Sequence, residues 1–507
     1  MNFFWPENFT FVGKSCPEGR DVPGKIVAGR AALIADLLKS HGVLPGDRVA
    51  MWLTEGENQV AAMFGCWAAG AAFCVLPSFA GRSNTERSQL RVDDVWSVLQ
   101  PRLLLKGNGT ELPDVLAGAV DVLELPRLDA NVNECVDPGA LVAGREPDDM
   151  AFVQFTSGST GGAKGAVVSF GQLMANLDAI VERTDLTPSD RMVSWAPLYH
   201  DMGLMAVLLP LSCGADIVLM DTDHFVRRPT SWLETISRYR GTVTTAPPTA
   251  LKLLARRKAQ NLDLSSWRYA WIGGEMVFPS VLKDFEDTYA AAGLVKGVLQ
   301  PTYGMSETVV GISCGIPGET RMIQNGFISC GPPLSGIDLQ VVEEDETPVI
   351  PGNQGRIMVR GPSVMKGYLG LESFAPDSWF DTGDLGFEDA GRLYITGRIK
   401  DVLKRGAESF PAPVVEAIAE DALNLRTGRA AAFACPRPDI GKEEIVLLVE
   451  SRNWSDEQAR KVAAEVTREL GLQVDVIRNA KGGRLPRTSS GKLMRQKAAA
   501  LYQKGMV

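Results

Sequence analysis

The sequence predicts an α/β fold: a large N-terminal domain of α/β sandwich subdomains with a small β-barrel-like portion, followed by a small α+β C-terminal domain. Three observations predict it. Helix-like and strand-like patterns alternate through the first two thirds of the chain, the pattern of layered α/β structure. Between about 326 and 396 short β-like pieces are separated by Gly/Pro turns. From 398 onward a helix, two strands and a second helix form a compact unit with its own small core. The chain has 507 residues, too many for one ordinary core. The expected domains are 1–397 and 398–507.

The elements follow in order. Residues 26–41 read as an amphipathic helix ended by Gly42, and 48–53 as a buried strand after Pro45-Gly46-Asp47. Residues 60–70 read as a second helix and 72–76 as the next strand. The apolar run 150–155 reads as a strand entering a glycine-rich turn. The most apolar stretch, 205–220, is interrupted by Pro210, Gly214 and Asp216, which makes it too broken to span a bilayer. Strand-like pieces follow at 337–342, 355–359 and 392–395. Helices are expected at 414–421 and 455–470, with strands at 430–434 and 445–450.

Composition narrows the function classes. Net charge is −9 with no long basic run, which argues against nucleic acid as a partner. An anionic ligand must therefore be met by local cations. The eight cysteines contain no CxxC pair, so reduced, cytoplasmic thiols are expected rather than a zinc site or a disulfide framework. The start, Met1-Asn2-Phe3-Phe4-Trp5, lacks the charged beginning and long apolar run of a signal peptide. Three histidines, His41, His200 and His224, are too far apart for a His-based metal motif, and no GxSxG elbow occurs.

The most informative segment is Thr156-Ser157-Gly158-Ser159-Thr160-Gly161-Gly162-Ala163-Lys164-Gly165. Glycines let backbone N–H groups crowd around an anion, and hydroxyls plus one ammonium complete a phosphate cradle. A Gly/Ser linker is the bland alternative, but the stretch is short and carries a lysine. It is not a P-loop, because Ala163 stands where that pattern needs glycine and Gly165 follows the lysine. The segment resembles the Thr-Ser-Gly-Ser/Thr-Thr-Gly-x-Pro-Lys-Gly signature of the adenylate-forming superfamily (acyl-CoA synthetases, fatty acyl-AMP ligases, NRPS adenylation domains), with Ala163 in place of proline.

Five further segments resemble that superfamily in its order. Thr302-Tyr303-Gly304-Met305-Ser306-Glu307 is similar to its Tyr-Gly-x-Thr-Glu block, and Gly273-Gly274-Glu275 to the strand end before it. The resemblance implies that Tyr303 covers adenine and Glu307 holds Mg²⁺. Asp381-Thr382-Gly383-Asp384 resembles the Thr-Gly-Asp block, which implies that Asp384 accepts the ribose hydroxyls; taken by itself it is good turn chemistry. Gly397-Arg398-Ile399-Lys400-Asp401 resembles the domain-boundary motif, which implies a ribose or phosphate contact for Arg398 and a hinge at Lys400. Pro486-Arg487-Thr488-Ser489-Ser490-Gly491-Lys492 resembles the catalytic-lysine loop. Trp195-Ala196-Pro197-Leu198-Tyr199-His200-Asp201-Met202-Gly203 resembles the segment that lines the acyl pocket, with His200 in it.

The resemblance implies ATP and Mg²⁺ as cofactors and a carboxylic acid as substrate. An acyl-AMP would form with Lys164 on the β/γ-phosphates and Lys492 near the carboxylate and α-phosphate. The main reading is transfer to coenzyme A; the alternative acceptor is a carrier-protein phosphopantetheine, and a third reading is a non-catalytic nucleotide- or acyl-binding homologue, the protein being a monomer or homodimer. Two regions point to different branches. The 199–204 run and Leu264-Ser265-Ser266-Trp267-Arg268 look like fatty acyl-AMP ligases. Lys404-Arg405-Gly406-Ala407-Glu408 looks like the CoA-ligase loop whose glycine lets pantetheine pass. The acyl pocket is expected to be lined from 195–205, 245–249 and 271–274.

Overall fold

Parallel strands form the centre of two sheets. The computed structural model describes residues 3–54, 56–77, 94–112, 116, 121–125, 136–156, 163–257, 259–375, 377–405, 408–437, 442–480, 482–487 and 492–506. The chain divides into two units. One comprises 1–339, 359–380 and 391–393, and the other 340–358, 381–390 and 394–507.

In the first unit, a six-stranded sheet runs in the order Val122–Glu124, Leu103–Lys106, Arg48–Trp52, Ala72–Val75, Met150–Thr156 and Lys164–Ser169. All its pairs are parallel except the last, where Met150–Thr156 turns back on Lys164–Ser169. The helices Gly24–Ser40 and Gly56–Ala69 pack on one another beside it. These elements fall within a few residues of those expected.

An eight-stranded sheet runs in the order Ser313–Cys314, Leu299–Tyr303, Tyr269–Ile272, Val243–Ala246, Arg191–Ser194, Asp216–Met220, Asn8–Gly13 and Cys16–Pro23. Only its two edge strands are antiparallel. Its inner strands are buried along nearly their whole length, as strands covered on both faces must be. The apolar run 205–220 becomes the end of the helix Asp201–Cys213, a left-handed turn at Gly214 (φ +80°), and the buried strand Asp216–Met220. Among the described residues no helix is long and apolar enough to cross a membrane.

The 338–398 region holds a four-stranded sheet, Asp338–Val342, Gly355–Arg360, Phe380–Asp389 and Arg392–Arg398. The remainder of the second unit is α+β, as expected. Ala430–Arg437 pairs antiparallel with Lys442–Val449, which pairs parallel with Val476–Asn479. The helices Ala412–Ala422 and Asp456–Leu470 bury Val415, Ala419, Val462 and Val466 against Ala430, Leu447 and Val449.

Candidate active site

Four neighbouring parallel strands of the large sheet end at motifs singled out by the sequence. Arg191–Ser194 leads into Trp195-Ala196-Pro197, Val243–Ala246 into Pro247-Pro248, Tyr269–Ile272 into Gly273-Gly274-Glu275, and Leu299–Tyr303 into Gly304-Met305-Ser306-Glu307. Ligands of open parallel sheets bind outside the carboxyl ends of the strands, where loops diverge and backbone N–H groups are unpaired.

The turn after Tyr303 is tight. A Cβ at Gly304 would stand 1.7 Å from the Val310 carbonyl oxygen, so only glycine lets the chain fold back there. Val309 sits at φ +67°, a conformation that costs a β-branched residue strain and needs the surrounding packing to hold it.

A ring of contacts joins the motifs of the first unit. Gln154, two residues before Thr156, donates from Nε2 to the Tyr199 carbonyl at 3.2 Å. The Ser306 hydroxyl donates to Asp201 Oδ2 at 3.2 Å. The Tyr368 hydroxyl donates to Glu307 Oε1 at 2.8 Å. Lys164 Nζ lies over the Tyr368 ring, 5.0 Å from its centroid. Three segments far apart in sequence (164, 307 and 368) thus present an ammonium, a carboxylate and a phenol to one place. Burial pushes the Tyr368 hydroxyl well above its ordinary pKa, and the adjacent Glu307 charge pushes it further, so it remains a donor.

Beside this ring lies an apolar pocket enclosing about 520 Å³, open mouth included. Met202, Met205, Thr245 and Trp271 line it, from the three stretches expected, together with Thr302 and Tyr303. Ile180, Met192, Val310 and Leu334 are also among its walls and were not foreseen. Cys314 also lines it, and burial pushes its thiol up to about 11, so it stays protonated. Trp195, at the start of the first of these stretches, stacks on Phe225 (centroids 3.7 Å apart) in the apolar core. His200 precedes the helix Asp201–Cys213 and packs on the Tyr199 ring at 4.6 Å; Met202 and Met205 of that helix line the pocket, and His200 does not.

Residues 157–162, which carry Ser157, Gly158, Ser159, Thr160 and Gly161, lie outside the described residues, as does Gly406. Thr156 ends its strand opposite Lys164. Gly273 follows the buried strand Tyr269–Ile272, and Gly274 after it adopts φ +77°.

The second unit brings two more of the expected residues together. Asp384 is 3% exposed, and its Oδ1 lies 2.9 Å from Arg398 Nε. The turn reading also holds here, since Gly383 N–H donates to Asp381 at 2.8 Å. A turn alone does not bury a carboxylate against a guanidinium. Lys400 lies in the exposed 3₁₀ turn Ile399–Asp401. Lys492 is exposed; near it Met494 N–H donates to Pro486 O at 2.9 Å and Arg487 forms a bridge with Leu493, while residues 488–491 lie outside the described residues. Arg495 anchors the following helix, reaching Glu416 and Asp401 at 2.7 Å each.

Sequence reasoning missed Tyr368, Asp201 as a partner of Ser306, and Arg495. Tyr368 left only a weak signal, an aromatic after Gly367 in a turn-rich stretch.

Mg²⁺ keeps several waters and is bound by one or two carboxylates plus substrate phosphates rather than by an all-protein cage. Glu307 fits that demand, a carboxylate held in place by Tyr368. Among the described residues no cluster of three or more His, Cys, Asp or Glu could form a cage.

Residues 25–369 match the model of the AMP-binding enzyme family. A Caulobacter vibrioides protein provisionally named acyl-CoA synthetase is 33% identical over 94% of this chain and 89% of its own. A medium-chain-fatty-acid–[acyl-carrier-protein] ligase, JamA of Moorena producens, is 28% identical over 90% of this chain and 86% of its own. A solved structure from a study of fatty acyl-adenylate ligases of E. coli and L. pneumophila superimposes with a TM-score of 0.86 at 30% identity, covering 99% of this chain and 96% of the other. The chain belongs to the AMP-binding enzyme family, within the adenylate-forming superfamily.

Proposed function

We propose that this enzyme activates a carboxylic acid with ATP and passes the acyl group to the thiol of coenzyme A. In the first step a carboxylate oxygen bonds to the α-phosphorus, the bond from that phosphorus to the bridging oxygen breaks, and pyrophosphate leaves. In the second a thiolate attacks the acyl carbonyl and AMP leaves. The observation that carries this reading is the meeting of Lys164 and Glu307 at Tyr368, beside an apolar pocket.

Two anions must meet in the first step, so positioning and charge neutralisation do most of the work. Lys164 meets the β/γ-phosphates, Tyr303 covers adenine, and Asp384 with Arg398 takes the ribose. We assign Lys492 to the carboxylate and α-phosphate. Mg²⁺, held by Glu307, neutralises charge on the phosphates. The pocket takes an apolar acyl tail, since no charged side chain among the described residues lines it. The thiol comes from the acceptor: burial pushes Cys74 up to about 12, and no reactive cysteine of the chain is needed.

A second reading, transfer to a carrier-protein phosphopantetheine, is favoured by the likeness to JamA and to the fatty acyl-adenylate ligase structure. A panel of carboxylates in a pyrophosphate-release assay tests the first step. Mass spectrometry after adding coenzyme A, or a phosphopantetheinylated carrier protein, separates the acceptors. Acyl-AMP that never becomes acyl-CoA yet loads the carrier replaces the main reading with the second. No pyrophosphate release with any acid removes both.

A further inference from the structure

We infer that Tyr368 is the positioning residue that sets the Glu307 carboxylate and the Lys164 ammonium for the triphosphate; this rests on the adenylation reading above. Its side chain does two things at once. The hydroxyl donates to Glu307 Oε1 at 2.8 Å, and the ring face carries Lys164 Nζ at 5.0 Å. A hydrogen bond to a charged acceptor is stronger than one between neutral groups. A ring face attracts a cation without adding a charge of its own. Tyr368 therefore orients one anion and one cation while leaving the net charge of the site unchanged.

Its backbone is held from both sides. Tyr368 forms an antiparallel bridge with Ala166, and Leu369 N–H donates to Gly165 O at 2.8 Å, which fastens it to the strand that Lys164 begins. Met365 N–H donates to the Glu307 carbonyl at 2.8 Å, which fastens the same segment to the Glu307 turn. Gln172 adds a third tie. Its Oε1 accepts from Ser169 N–H in the capping box of the helix Phe170–Thr184, and its Nε2 donates to Val364 O at 2.8 Å. The segment 364–369 is thus a strap between two motifs that lie more than 140 residues apart. Tyr368 is the side chain by which the strap reaches both functional groups. Hydrogen-bond partners of a metal-holding carboxylate commonly matter 10–100-fold to metal affinity, because they fix its orientation.

The test is calorimetric titration of ATP into the whole protein, with and without Mg²⁺, for wild type, Tyr368→Phe, Tyr368→Leu and Glu307→Gln. Circular dichroism melts establish that each variant folds. Tyr368→Phe keeps the ring and loses only the hydroxyl. It should cut the Mg²⁺-dependent gain in ATP affinity by about tenfold while leaving Mg²⁺-free affinity within about twofold. Tyr368→Leu should in addition weaken Mg²⁺-free binding by about threefold, as Lys164 loses its ring. A wild-type gain in Tyr368→Phe, with the gain lost in Glu307→Gln, overturns the positioning role alone. A wild-type gain in both overturns the metal role of Glu307 and the positioning role with it. Wild-type protein that binds no ATP overturns the adenylation reading itself.

Discussion

The strand Tyr269–Ile272 has two very different ends. Trp267 and Arg268 precede it, and Gly273 and Gly274 follow it; both pairs belong to segments that resemble the same superfamily. At the amino end Trp267 is 1% exposed in the core, its indole N–H donating to Tyr269 O at 3.1 Å. Arg268 forks onto Asp190 at 2.7 and 2.6 Å and caps the Thr184 carbonyl at 2.9 Å. At the carboxyl end Gly273 runs so close to Thr302 that a Cβ there would stand 2.6 Å from its hydroxyl oxygen, and Trp271 and Thr302 line the pocket. The amino end of this strand carries stability and the carboxyl end carries the site. The geometry of parallel sheets separates the two duties, since only the carboxyl ends open onto diverging loops.

The sharpest way to break that division is Trp267→Ala. Loss of a fully buried indole should cost about 3–5 kcal/mol of stability, read as a lower urea midpoint. The KM for ATP should stay near wild type in the folded fraction. Glu307→Gln should do the opposite, slowing pyrophosphate release by about 10²–10³-fold with the urea midpoint nearly unchanged. If Glu307→Gln instead unfolds the protein at unchanged rate, the carboxyl end is structural too.

Asp190 sharpens the comparison through pH. Burial by itself would raise its pKa, but the Arg268 guanidinium, the Thr242 hydroxyl and the Thr187 N–H outweigh this and hold the carboxyl below its ordinary range. A depressed carboxylate contributes stability that is present above the unfolded pKa of about 3.9 and lost as pH falls through the folded pKa. Asp190→Asn should therefore cost about 1.5–3 kcal/mol at pH 7, and the gap to wild type should close as pH drops below about 4. A gap that stays constant from pH 7 to 3 means the charge contributes nothing. The smallest effect concerns the pocket. Met205→Ala should shift the preference between a bulky and a slender acid by about 1–2 kcal/mol, roughly tenfold in the ratio of kcat/KM values. Both acids compete within one variant, so lost stability cancels; an unchanged ratio takes Met205 out of the acyl site.

Local chemistry was enough for much of this protein. Periodicity placed the helices Gly24–Ser40 and Asp456–Leu470 and the strands Arg48–Trp52 and Ala430–Arg437 within a few residues, because apolar spacing and flanking Gly or Pro act over a single turn or strand. The resemblance of six segments pointed to the superfamily, and Glu307 and Lys164 both reach the side chain of Tyr368. Which aromatic faces which space was not local. Trp195 lies in a pocket-like motif, yet stacks on Phe225, whose approach depends on a helix thirty residues away. Tyr368 lies in an undistinguished turn, yet joins Lys164 to Glu307, because the strap 364–369 is bonded to both. Ile180, Val310 and Leu334 are ordinary apolar residues until three distant elements converge on the pocket. Side-chain surroundings are set by long-range packing, and a single sequence records the residues without recording that convergence.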